Sequence, residues 1–299
     1  MNYFNFEINN WQDWCKVFHS RSEFEKLIHH IFETENLPKI NQISDFTPGT
    51  NAVFKADDKA VKIFVPDSAG YDSERDFAIE SYGMKFAAAQ GIPVPNLIAD
   101  GIVRDKYDFR YMIMDYIEGY AFTDEFEETL TYEDKVNIGK KFADIKSKLN
   151  ILCDKFCDID IINRAITNER WAKYPDSFNA ERIKYLQNYK IKNPVYVHGD
   201  INPDNVIFGG DGVMYLIDFA DACIAPALYE LAPLICGIFE FDSDYLDGYG
   251  DVSVEDLVES LLIHDFGADI LVNNCGAAEE FTSLDVMYER IKVKLCRQR

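Results

Sequence analysis

One stretch of the 299-residue chain constrains its fold more than any other: Val195-Tyr-Val-His-Gly-Asp-Ile-Asn-Pro-Asp-Asn-Val-Ile-Phe208, with its continuation to Asp218. Val195 and Val197 alternate with Tyr196 and His198, a short strand pattern. Gly199 and Pro203 break it, so residues 200–204 form a loop. Residues 206–208 are apolar again, Gly209-Gly-Asp-Gly212 is a turn signal, and Val213 to Ile217 runs as the returning strand. With Phe208 opposite Val213, Asn205 falls opposite Leu216, two residues short of Asp218. The hairpin brings Asn205 and Asp218 to one end, beside the loop that carries Asp200.

Asn205 and Asp218 are hard oxygen ligands, which suits Mg²⁺, an ion that takes one or two protein oxygens and completes its shell with water and phosphates. Asp200, on the adjoining loop, is placed to accept a proton from a hydroxyl nucleophile. A metal pair beside a carboxylate base is the recurring equipment of phosphoryl transfer from a nucleotide. The plain alternative is a hairpin with polar loop residues, but every spacing fits at once.

His198-Gly199-Asp200, Asn205 and Ile217-Asp218-Phe219 together resemble the aminoglycoside phosphotransferase and choline kinase-like group of the protein-kinase fold. The resemblance implies an α+β, bilobal architecture: a small antiparallel-sheet N-lobe over residues 1–118 and a larger, mostly helical C-lobe over residues 119–299. It implies ATP, or GTP, as phosphoryl donor, Mg²⁺ at Asn205 and Asp218, and Asp200 as catalytic base. Phe219-Ala-Asp-Ala222 departs from the protein-kinase Asp-Phe-Gly, and there is no Ala-Pro-Glu, which argues against a protein kinase. Pro226-Ala-Leu-Tyr-Glu-Leu-Ala232 resembles the group's Pro-x-Tyr-Asp/Glu-Leu-Ala helix start, with Glu230 structural.

Upstream, Trp11, Trp14, Phe18, Phe24, Leu27, Ile28 and Ile31 fall at helical spacing, and Ser20 to Glu23 reads as a capping box. A strand over 41–46, a turn at Thr47-Pro-Gly-Thr-Asn51 and a strand over 52–55 follow. Gly49 permits close backbone approach to phosphates, and Thr50 adds a hydroxyl. A hairpin tip at Asp57-Asp58 places Lys62 opposite Val53, near the Gly49 loop. Ser73 to Gln90 reads as a helix ended by Gly91, with Phe77, Glu80, Met84 and Ala87 on one stripe. A carboxylate on an apolar stripe is costly unless paired, and Lys62 is the natural partner of Glu80, with Glu74 as the fallback. That pair would orient Lys62 toward the α- and β-phosphates.

Tyr111 to Gly119 resembles the last N-lobe strand and the hinge. The resemblance places adenine against the backbone of Asp115 and Ile117, with Met114 behind it. A helix over 131–149 has an imperfect capping signal, Thr131 with Glu133, and residues 150–193 read as helices shaping the acceptor pocket. Cys153 and Cys157, four apart, suit one helix face. Glu240, Asp242, Asp244, Asp265 and Asp269 supply acids to the later, mostly helical sequence, and Lys292, Lys294, Arg297 and Arg299 close the chain.

Acids outnumber bases 52 to 30, a net charge of −22. A field this negative argues against nucleic acid and anionic membrane surfaces and is compatible with a cationic acceptor. No signal peptide or membrane-length apolar run is visible. Seven cysteines, scattered and odd in number, fit reduced thiols in the cytoplasm. The expected function is a cytoplasmic, Mg²⁺-dependent kinase of a small-molecule hydroxyl, first an aminoglycoside-like or other amine-bearing acceptor, and with it antibiotic resistance. The competing reading is a nucleotide-binding pseudoenzyme or regulatory partner on the same fold. Oligomeric state is not readable from the sequence.

Overall fold

Two helices open the chain, α1 (Trp11–Val17) and α2 (Arg21–Thr34). The computed structural model describes residues 2–46 and 49–297, apart from the side chains of Asp124 and Arg297. Thr47 and Pro48 of the expected turn, and the arginine side chains of the basic tail, therefore lie outside the described residues. α2 buries Phe24, Leu27, Ile28 and Ile31 on one stripe. Its expected capping box does not form: Ser20 makes no side-chain cap, and its hydroxyl meets that of Ser22.

Strands β1 (Ile43–Asp45), β2 (Ala52–Ala56) and β3 (Lys59–Ile63) come next, then helix α3 (Ser73–Ala89) and strands β4 (Leu97–Arg104) and β5 (Asp108–Asp115). The five strands form one antiparallel sheet in the order β1-β2-β3-β5-β4. The β2–β3 hairpin has the expected register, with Ala56 opposite Lys59 and Lys62 opposite Val53. Side chains alternate between the two faces of a strand. Val61 and Ile63 therefore join Trp14, Phe24 and Phe109 in the core shared with α1 and α2, while Lys62 faces the other way. Each large apolar side chain fully buried here contributes about 1.5–3 kcal/mol. The start of α3 is tied to β5 by Arg110, which donates to Ser73 Oγ (3.0 Å) and Asp67 (3.2 Å) and pairs with Glu74 (3.0 Å).

The chain divides into two compact units, Met1–Lys85 with Val94–Glu118, and Phe86–Pro93 with Gly119–Arg299. The second begins with β6 (Gly119–Ala121), α4 (Asp124–Glu127) and α5 (Tyr132–Leu149). α5 has a complete capping box: Thr131 accepts from Asp134 N, and Asp134 accepts from Thr131 N. The partner is Asp134, at the third helical position, and not Glu133, because only that position folds back over the cap. α6 (Ile161–Thr167) and α7 (Asp176–Gln187) follow. Residues 151–160 are irregular, so Cys153 and Cys157 share no helix face.

Strands β7 (Val195–Val197), β8 (Val206–Gly209), β9 (Met214–Leu216) and β10 (Cys223–Ala225) build two small sheets: β7 pairs with β10, and β8 lies between β6 and β9. The β8–β9 register is one residue off the expected one, with Phe208 opposite Met214 and Val206 opposite Leu216. Val213 is drawn into the turn: its N–H donates to Asp211 Oδ1 (3.0 Å) and its carbonyl accepts from Gly209 N (2.8 Å). After Pro226 the expected helix start is a 3-10 turn, Ala227–Glu230, running into a π-helix, Ala232–Ile238. Helices α8 (Ser243–Tyr249), α9 (Val254–Ile263), α10 (Gly267–Cys275) and α11 (Leu284–Arg297) complete the unit. Three of the later acids are committed to ion pairs, Asp242 with Lys135 (2.7 Å), Asp265 with Arg164 (3.5 Å) and Asp269 with Arg170 (2.6 Å) and Lys173 (2.5 Å). Among the described residues no helix is long and apolar enough to cross a membrane.

Candidate active site

In the first unit the buried face of β3 meets α3. Lys62 Nζ lies 2.6 Å from Glu80 Oε2, and both residues are buried. Burial of either charge alone would be costly, so the pair fixes the rotamer of the lysine. Glu74, the alternative partner, is exposed and held by Arg110. Thr50 is exposed, and its carbonyl accepts from Trp14 Nε1 at 2.9 Å. Gly49 is also exposed; a Cβ there would meet nothing within 4 Å, so no protein packing demands glycine. Asn51, which the sequence gave no reason to single out, is buried and accepts from Val65 N at 3.2 Å, tying the loop to the end of β3. Met114 is buried at the end of β5, opposite Ala60. The Asp115 amide is committed to Asn96 O (3.0 Å), so a base meeting this residue must use its carbonyl. The Ile117 N–H has no acceptor among the described residues.

In the second unit the loop after β7 is folded by its own polar groups. Asn202 Nδ2 (2.8 Å) and Asn205 Nδ2 (3.1 Å) both donate to Asp200 Oδ2, and Asn205 Nδ2 also reaches Asp200 O (2.8 Å). Asp200 Oδ1 is left without a hydrogen bond among the described residues. With Asn205 Nδ2 spent on Asp200, its amide oxygen is the atom that can face a cation. Ile217 N donates to Asn205 O at 3.1 Å, so Asn205 stands across from Ile217, immediately before Asp218. Asp218 is held at φ 61°, a left-handed conformation that aspartate tolerates better than most residues.

His198 joins the two halves of this loop pair. Its ring is fully buried against Phe219 (centroids 4.5 Å apart), its Nε2 contacts Ile217 O at 3.1 Å, and its Nδ1 accepts from Asp200 N at 3.3 Å. Burial pushes its pKa down to about 4, so it is neutral and donates from Nε2. Gly199, at φ 86°, has no substitute: a Cβ would sit 2.1 Å from Asp221 O.

Burial, with added repulsion from Asp218, raises the Asp200 carboxyl to about 6. Burial again, with repulsion from Asp200 and Asp218, raises Asp221 to about 7, and Arg164 opposes that shift. The carboxylates of Asp200, Asp218 and Asp221 repel one another close to the Asn205 amide oxygen, but among the described residues no three acids, histidines or cysteines converge as a metal cluster. The oxygens of Asn205 and Asp218 are of the hard type, of which a divalent cation such as Mg²⁺ takes one or two while keeping most of its shell as water and phosphate.

The sequence profile of the phosphotransferase enzyme family (APH) matches residues 51–257, more than half of the chain. The chain belongs to the phosphotransferase enzyme family. Its fold is similar to that of the aminoglycoside phosphotransferase APH(2″)-IIIa solved with GDP and kanamycin (14% identity, 91% of this chain and 97% of that one, TM-score 0.59). It is similar also to choline kinase LicA from Streptococcus pneumoniae (16%, 92% and 99%, 0.57). A third likeness is to a choline/ethanolamine kinase family protein from Mesorhizobium loti (16%, 86% and 88%, 0.54). At such identities the likeness is one of fold, the protein-kinase-like architecture. A search of curated protein sequences finds no match.

Within this phosphotransferase fold the role of Glu230 is structural, as its place after Pro226 predicts. The geometry makes it specific: buried Glu230 Oε1 accepts from the backbone N–H of both His198 and Gly199. Burial raises Glu230 to about 7. Its other oxygen and the neighbouring Asn150 Oδ1 are both buried with no hydrogen-bond partner among the described residues, and a proton on Glu230 would join them. Glu230→Ala should leave two buried amides unpaired, lowering stability by about 1–3 kcal/mol for each. Glu230→Gln should hold most of that stability, since the amide can accept from the backbone and donate to Asn150. Urea unfolding of the two variants checks the contrast.

Proposed function

We propose that the chain is a Mg²⁺-dependent kinase that transfers the terminal phosphoryl group of ATP or GTP to a hydroxyl of a small, amine-bearing acceptor, as an aminoglycoside-type phosphotransferase does. The observation that carries this reading is the state of Asp200: one carboxylate oxygen is pinned by Asn202 and Asn205 while the other is open, beside the oxygen donors Asn205 and Asp218. Structural relatives solved with GDP and kanamycin, and with AMP, support a nucleotide donor and a hydroxylated acceptor.

Each residue then has a role. Lys62, oriented by Glu80, binds phosphate oxygens under the Gly49–Thr50 loop. The Asp115 carbonyl and the Ile117 N–H meet the base, with Met114 at its back. Asp218 and the Asn205 amide oxygen hold Mg²⁺, which when bound neutralises phosphate charge. Asp200 Oδ1 accepts the hydrogen bond of the acceptor hydroxyl and takes its proton late, because the transition state is loose and gains most from positioning. No phospho-enzyme forms. The extra carboxylate at Asp221 favours a cationic acceptor. All seven cysteines are thiols, which suits a reducing compartment such as the cytoplasm.

The pH profile tests the base. Asp200 works ionised, and its pKa stands at about 6. kcat/KM should fall about tenfold per pH unit below that value and level off at higher pH. A flat profile through the same range would remove Asp200 from the role.

A further inference from the structure

The opening helix reaches the loop that carries Gly49 and Thr50. Trp14, on α1, is fully buried against Phe18 and Phe24, with ring centroids 6.0 and 5.9 Å away. Its indole N–H donates to the Thr50 carbonyl at 2.9 Å. α1 itself is held at several points. Asn10 caps its start by accepting from Asp13 N at 2.9 Å. Trp11 stacks on Tyr71 at 5.6 Å, two residues before α3 begins. Ahead of the helix, the N–H groups of Tyr3 (3.0 Å) and Phe4 (2.7 Å) donate to Asp105, between β4 and β5. Thr50 is therefore fastened to a fixed body.

The peptide between Thr50 and Asn51 is trans, since the described residues contain no cis bond. In a planar trans peptide the carbonyl and the following N–H point in opposite directions. With the Thr50 carbonyl drawn to Trp14, the Asn51 N–H is turned away from Trp14 and from the core that α1 and α2 share with the sheet. That N–H has no acceptor among the described residues, although Asn51 is only 7% exposed. Buried backbone amides are rarely left unpaired, so this one points to a missing acceptor. The Asn51 side chain fixes the residue from its other end, accepting from Val65 N at 3.2 Å. Lys62, opposite Val53, also faces away from the core.

We propose that Trp14 is a positioning residue for the donor nucleotide: by holding the Thr50 carbonyl it aims the Asn51 N–H at a phosphate oxygen, on the side of the sheet where Lys62 lies. Trp14 touches no substrate and acts only through the loop. An amide donating to a charged phosphate is about twice as strong as a neutral hydrogen bond, so aiming one amide has a measurable effect. The inference rests on the phosphotransfer reading and deepens it, because it places a determinant of nucleotide affinity on a helix outside the region that the family profile matches.

The test is calorimetry of the full chain and of Trp14→Phe, with Mg²⁺ and ATP or GTP, and separately with the matching nucleoside. Phenylalanine keeps a ring against Phe18 and Phe24 and lacks the N–H. Trp14→Phe is expected to bind the triphosphate about tenfold more weakly, the scale of one hydrogen bond to a charged group, and to bind the nucleoside as the unaltered chain does. A merely structural role would weaken both ligands alike. Unchanged triphosphate affinity, or an equal loss for triphosphate and nucleoside, would overturn the proposal and leave the phosphotransfer reading standing. An unaltered chain that binds no nucleotide would overturn both. Should the variant fold poorly, hydrogen exchange at the Trp14 indole of the unaltered chain decides the matter. Its proton should exchange about tenfold more slowly with Mg²⁺ and the triphosphate, and at its original rate with the nucleoside. The same rate in all three states would overturn the proposal.

Discussion

Asp218→Ala is expected to lower phosphoryl transfer by about 10³-fold or more, because the charge it places at the cation site contributes several kcal/mol to the transition state. The fold should survive. Asp218 is held by its backbone neighbours, with Ile217 N on Asn205 O and Ile217 O on His198, and these bonds do not involve its side chain. An alanine at φ 61° carries a backbone penalty of about 1–2 kcal/mol, so Asp218→Asn, which tolerates that conformation, is the cleaner control. Both variants should lose Mg²⁺-dependent nucleotide binding. Full turnover in either one would remove Asp218 from the metal site.

Asp200→Asn separates chemistry from binding. The amide oxygen of the new side chain can take the two hydrogen bonds now made by Asn202 and Asn205 to Oδ2, so the loop should keep its shape. The open carboxylate oxygen is replaced by an N–H₂ that cannot accept a proton. Turnover should fall by about 10²–10⁴-fold, the scale of a lost general base, while nucleotide affinity by calorimetry stays nearly unchanged. If both fall together, Asp200 supports the loop or the metal rather than the proton transfer.

Much of this arrangement was legible in the sequence because it is local. The Lys62–Glu80 pair could be read from two patterns that converge, a hairpin register set by the Asp57–Asp58 tip and a carboxylate on an apolar helix stripe. The strand–loop–hairpin order from Val195 to Asp218 is likewise written in alternation and turn residues. The errors were of two kinds. Loop chemistry shifted the β8–β9 register by one residue, since Asp211 and Gly209 recruit Val213 into the turn, and it left Ser20 uncapped while giving α5 a cap through Asp134. Contacts distant in sequence were out of reach. β7 finds its partner in β10, Glu230 reaches back to His198 and Gly199, and Asn51 holds Val65, none of which leaves a periodic trace. The irregular segment around Cys153 and Cys157 shows the converse, a spacing compatible with a helix that does not form.

The central claim, phosphoryl transfer to a small hydroxylated amine, is tested most directly by mass spectrometry of acceptors. The protein would be incubated with Mg²⁺, ATP or GTP and a panel of aminoglycosides, choline, ethanolamine and amine-free sugars. The predicted result is that at least one amine-bearing acceptor gains a single phosphoryl group, that the gain requires Mg²⁺, and that Asp200→Asn fails to produce it at equal protein concentration. Nucleotide binding by calorimetry with no phosphorylated product from any acceptor would contradict the account, and would leave a nucleotide-binding pseudoenzyme on a phosphotransferase fold.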